Sequence, residues 1–88
     1  MSEVLSVWDS IEDDPIQAEV MKVRSALMRR ICDRLSVAGW DRVESARRCG
    51  VTTPRLDELT RGKVDLFTLE ELVRIASGVG LQVRIELL

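Results

Sequence analysis

The chain has 88 residues, with 13 Lys and Arg, 15 Asp and Glu, no His, two Cys and 45% apolar residues. That length makes one domain, and a core this small buries only roughly 60% of the extended-chain surface, which favours oligomerisation as a supplement. The absence of His removes the usual base near neutral pH together with His-ligated metals, while Cys32 and Cys49 form neither a CxxC pair nor a disulfide framework, so no metal, no cofactor and no enzyme activity are expected.

The first stretch, residues 1–14 (MSEVLSVWDSIEDD), is an acidic N-terminal arm. A secretory leader is basic and then apolar, and no apolar run in the chain approaches the ~20 residues of a membrane span. A soluble, cytoplasmic protein with no membrane partner is therefore expected. Within the arm Leu5, Val7, Trp8 and Ile11 sit among acids, Glu12, Asp13 and Asp14 included. That pattern suits either a segment that binds a basic partner or a strand that pairs with the C-terminal tail.

A helical domain follows over residues 15–80. Asp14-Pro15 opens a helix, with Asp as cap and Pro in the first turn. Ile16, Val20, Val23, Leu27, Ile31 and Leu35 then form one apolar stripe, which predicts a helix from Pro15 to Val37 that Gly39 ends. Asp41 caps a second helix, Arg42–Cys49, stopped by Gly50. Thr52 caps a third, Thr53–Thr60, with Pro54 in its first turn and Gly62 as its stop. Thr68 and Glu71 make a capping box (T-x-x-E) for a fourth helix that runs through Ser77, where Gly78 and Gly80 end it. Cys32, Cys49, Met21 and Met28 read as core residues, Trp40 as packing between the first two helices, and Phe67 as a staple before the fourth.

The period then changes. Leu81, Val83, Ile85 and Leu87 alternate with Gln82, Arg84 and Glu86, the two-residue rhythm of a half-buried strand over residues 81–88. A single strand leaves its backbone groups unpaired, so the expected partner is the same strand of a second copy, with Leu81, Val83, Arg84, Ile85 and Leu87 forming a homodimer contact.

Charge is unevenly spread. Residues 1–20 carry six acids and no base, whereas residues 21–63 carry eleven bases against five acids, a local balance of +6. A basic middle behind an acidic arm fits a polyanion at one end and a basic partner at the other. Two short helices joined by a tight Gly turn and flanked by bases are the plan of a helix-turn-helix over residues 42–60. Ala46 supplies the small side chain where the helices cross, and Val43, Cys49, Val51, Leu56 and Leu59 supply apolar positions. Thr53, Pro54, Arg55, Asp57 and Glu58 are left on the outer face of the second helix.

The segment DRVESARRCGVTTPRLDELTRGKVDLFTLEELVRIASGVG resembles the XRE-type, lambda-repressor-like helix-turn-helix domain, most specifically through G-V-T-x-P-R and L-x-R-G-K-x-D-L-F-[ST]-L. Over essentially all its length the chain is similar to HigA-like antitoxins, the partners of RelE/HigB-type mRNA interferases. The resemblance implies a mainly α, four-helix domain with one C-terminal strand, binding double-stranded operator DNA as a homodimer while it neutralises a basic toxin and represses its own operon. It places Arg42, Thr52, Arg61 and Lys63 on phosphates and Thr53, Pro54, Arg55 and Glu58 against base edges, where Arg55 can read guanine and Glu58 cytosine. It places Leu5, Trp8, Ile11, Glu12, Asp13 and Asp14 on the toxin. The chain departs from the pattern at Arg42, where phage repressors carry Gln, and in its adjacent acids Asp57 and Glu58. A stand-alone repressor without a toxin, and an interaction module with a vestigial helix-turn-helix, are the alternatives.

Overall fold

The structure is a computed structural model that describes residues 15–84; the arm at 1–14, with the expected Asp14 cap, and residues 85–88 fall outside the described part. Four helices form: α1 (Pro15–Ala38), α2 (Arg42–Cys49), α3 (Thr53–Thr60) and α4 (Leu69–Gly78), with a 3-10 turn at Val64–Leu66 ahead of α4. The three expected caps are all present. Asp41 accepts from the Glu44 amide, Thr52 from the Arg55 amide and Thr68 from the Glu71 amide, and the Glu71 carboxylate returns to the Thr68 amide.

The helix ends are closed in a common way. After α2, the Gly50 amide donates to Arg47 O and the Val51 amide to Ala46 O, a Schellman motif that needs the left-handed φ of +73° at Gly50. The same pair of bonds closes α3 (Gly62 to Leu59, Lys63 to Glu58) and α4 (Gly80 to Ser77, Leu81 to Ala76).

The core gathers Met28, Ile31 and Leu35 of α1 with Ala46, Cys49, Leu56, Leu59, Phe67, Leu72, Ile75, Ala76 and Val79. α1 is the spine against which the rest is fixed. Arg24 Nη1 donates to Phe67 O at 3.0 Å, Cys32 Sγ to Leu59 O at 3.5 Å and Arg34 Nε to Val79 O at 3.0 Å. Leu59 and Val79 lie at the C-terminal ends of α3 and α4, and Phe67 lies just ahead of the α4 cap. Trp40 does pack between α1 and α2, with the guanidinium groups of Arg34 and Arg48 at 5.3 and 4.5 Å from its ring.

Three expectations need correction, and one, the tail strand, is not seen among the described residues. The buried face of α1 is Met28–Ile31–Leu35, so Val23 of the predicted stripe is 43% exposed. Val23 instead lines an open apolar groove of about 240 Å³ with Leu27, Leu69, Val73, Leu81 and Val83. Val43 is not a core residue but 70% exposed, because the Asp41 cap sets the phase of α2 so that Ser45, Ala46 and Cys49 face inward. Val43 then falls roughly a third of a turn away from that face. Gly78 does not stop α4 but is its last helical residue. It sits where a Cβ would collide with the Arg48 carbonyl oxygen of α2. The strand is not formed over residues 81–84. Leu81 is committed to the cap of α4, no second strand lies among the described residues, and Ile85 and Leu87 are outside them.

Candidate nucleic-acid interface

α2 and α3 pack on the rest of the domain through Ala46, Cys49, Leu56 and Leu59. At 100° per residue, burial of Leu56 and Leu59 turns Pro54, Asp57, Glu58 and Arg61 to the outer side of α3. Arg42, Thr52, Pro54, Arg61 and Lys63 are exposed, and Thr53 is half-buried at the helix start. The structure thus brings together most of the expected contact residues along one edge: Arg42 from the start of α2, the outer face of α3, and Arg61 and Lys63 from the turn after it. The side chains of Arg61 and Lys63 have no ion pair among the described residues.

Arg55 is engaged within the domain. Its Nη1 donates to Glu58 at 2.9 Å and to Leu66 O at 3.1 Å, and its Nη2 to Glu71 at 3.0 Å. The guanidinium also lies 4.0 Å from the centroid of the buried Phe67 ring. Arg55 leaves the outer face of α3 and ties that helix to the capping box of α4, so a guanine contact would require breaking this whole set. Glu58 is held in the same set and is half-buried. One carboxylate oxygen, Oε1, takes the Arg55 hydrogen bond.

Asp57 and Arg42 form the second ion pair of the recognition helix, with Nε to Oδ1 at 3.0 Å and Nη2 to Oδ2 at 2.7 Å. These hydrogen bonds hold the Asp57 carboxyl below its ordinary range and raise Arg42 above its own. Farther along α2, Glu44 takes hydrogen bonds from Arg47 and Arg48, which bring its pKa down to about 2. Glu71 is held low by the Thr68 amide first and by Arg55 second. Asp57, Glu44 and Glu71 therefore stay ionised, and each is paired with an arginine. Sequence reasoning missed the Arg42–Asp57 and Arg55–Glu71 pairs because their partners are 15 and 16 positions apart, beyond any helical repeat.

Neither thiol offers chemistry here. Burial pushes Cys49 up to about 11 and raises Cys32 too, so both remain protonated, unreactive packing groups. Among the described residues no group of His, Cys, Asp and Glu can hold a metal ion, and no helix is long and apolar enough to cross a membrane. A family model described as a helix-turn-helix domain matches residues 11–87. No curated protein matches the chain.

Proposed function

The chain belongs to a helix-turn-helix domain family whose model spans residues 11–87, and on that premise we propose that it is the cytoplasmic, non-enzymatic antitoxin of a toxin–antitoxin pair, acting as a homodimeric repressor of its own operon. The DNA-binding part is carried by the exposed edge that joins Arg42, the outer face of α3, Arg61 and Lys63. Two such edges in a dimer suit half-sites one DNA turn apart, about 34 Å. The open groove beside Val23, Leu27, Val73 and Val83 supports a second copy of the chain against α1 and α4. There the alternating tail can pair with its own copy as a strand.

Operator binding tests the first half. With three cations per protomer on phosphates, a dimer makes about six contacts, and affinity for its own promoter should fall with a log–log salt slope of roughly −5. Lys63→Ala should weaken all duplexes alike and flatten that slope, as a phosphate contact does. A slope near zero, or Lys63→Ala binding with the wild-type slope, overturns the DNA assignment of this edge.

The toxin half rests on the resemblance to HigA-like proteins and on the acidic arm ahead of a basic domain. Glu12, Asp13 and Asp14 would steer a basic toxin while Leu5, Trp8 and Ile11 supply buried area. Deleting residues 2–11 is expected to restore growth arrest in cells that also make the toxin of the same operon, with operator binding unchanged. Full neutralisation by the truncated protein assigns inhibition to another surface. Repression in an operon that holds no toxin favours a stand-alone repressor.

A further inference from the structure

The recognition helix carries two acids, an awkward burden for a surface that meets a polyanion, and the two are handled in different ways. Glu58 is paired with a fixed arginine: Arg55 also holds Leu66 O and Glu71 and stacks on Phe67, so it is not free to leave for a phosphate. Among the described residues Asp57 takes side-chain hydrogen bonds from Arg42 only, with the Arg61 charge also close enough to act on it, and the Arg42 and Asp57 side chains are 56% and 36% exposed. An exposed pair of this kind adds little to stability, but its two-point contact occupies the guanidinium fork that a phosphate would need. It also lies on the outer face of α3 between Pro54 and Arg61, one helical turn from each.

We propose that Asp57 makes DNA binding selective: its carboxylate keeps Arg42 from the phosphates of arbitrary DNA and releases it only on a duplex that offers a cytosine amino group at that position. This rests on the DNA-binding reading given above. A phosphate approaching Arg42 competes with Asp57 for the same guanidinium fork, and the displaced carboxylate is left facing a negatively charged groove. On most sequences that loss is not recovered. Where a cytosine N4 amino group faces α3, the freed carboxylate accepts its hydrogen bond, and the exchange completes. Arg42 is then a switchable phosphate contact, in contrast to Arg61 and Lys63.

Salt dependence separates the two modes. On random-sequence duplex the wild-type dimer uses Arg61 and Lys63 only, about four phosphates and a slope near −3.6; on its selected site it uses about six, near −5.4. Asp57→Ala is expected to steepen the random-duplex slope to about −5.4, since Arg42 is free on any sequence. In selection from a randomised duplex pool, the wild type should enrich one cytosine per half-site that Asp57→Ala does not. Helical circular dichroism equal to wild type shows that the variant is folded. The same substitution made in an Arg42→Ala background should leave the slope unchanged.

Three results overturn the proposal. One is an Asp57→Ala variant with the wild-type slope on random duplex. Another is an enriched cytosine that survives the substitution. The third is a slope that steepens even without Arg42, which assigns the effect to net charge. A wild type that binds no duplex at all fails at an earlier step, because it removes the DNA-binding reading itself.

Discussion

Gly78→Ala is expected to lower stability by about 2–3 kcal/mol, although alanine is the better helix former by about 1 kcal/mol. The new Cβ points at the backbone carbonyl of Arg48 in the last turn of α2. Backbone cannot rotate out of the way as a side-chain tip can. α4 must move outward, and the tight closure of α2 at Gly50 and Val51 moves with it. A domain of this size has only about 4–13 kcal/mol of stability in total, so the loss should appear as a drop of roughly 10–20 °C in Tm. Thermal unfolding followed by circular dichroism reads it directly. Ser77→Ala, one position earlier and exposed, is the control and should stay within about 0.5 kcal/mol of wild type. Equal melting of Gly78→Ala and wild type would show that the α2–α4 crossing has room to spare.

The contrast between Gly78 and the other turns shows what the sequence makes legible. Asp41, Thr52 and the Thr68–Glu71 box were readable because a cap acts on an amide three residues away. Gly50 was readable because a turn glycine satisfies a local backbone demand. Gly78 obeys a demand from a different helix, which no local pattern carries. The same holds for the site. The exposed cations Arg42, Arg61 and Lys63 follow from the order of the helices and the phase of α3. Where Arg55 points does not follow, because its acceptors Glu58, Leu66 and Glu71 come from two helices and the turn between them. The misplacement of Val23 and Val43 has the same origin. A helix has an apolar side by sequence, but which part of it is covered depends on where the neighbouring helices begin and end.

Phe67→Ala is expected to be the most damaging single change in the domain, at about 3–5 kcal/mol. The ring is 1% exposed and is the largest of the fully buried side chains. It precedes the Thr68 cap of α4 and packs in the same core as Leu72, four positions into that helix from the cap, the arrangement of a hydrophobic staple. The residue also serves two neighbours. Its carbonyl takes the Arg24 hydrogen bond from α1, and its ring is the platform under Arg55 from α3. Truncation leaves a void between three helices and removes the apolar face of the Arg55 joint together. A loss of that size consumes roughly a quarter or more of the stability available to a chain this short. Urea unfolding should therefore show a midpoint far below wild type, with a partly unfolded population at 37 °C. Phe67→Leu refills most of the volume, so it should recover much of the loss but not the stacking on Arg55, worth about 0.5–1 kcal/mol at a partly exposed site. That remainder is measurable as coupling: Arg55→Met should cost less in the Phe67→Leu background than in the wild type. If the two substitutions add without coupling, the ring is only core volume, and Arg55 ties α3 to α4 through Leu66 O and Glu71 without it.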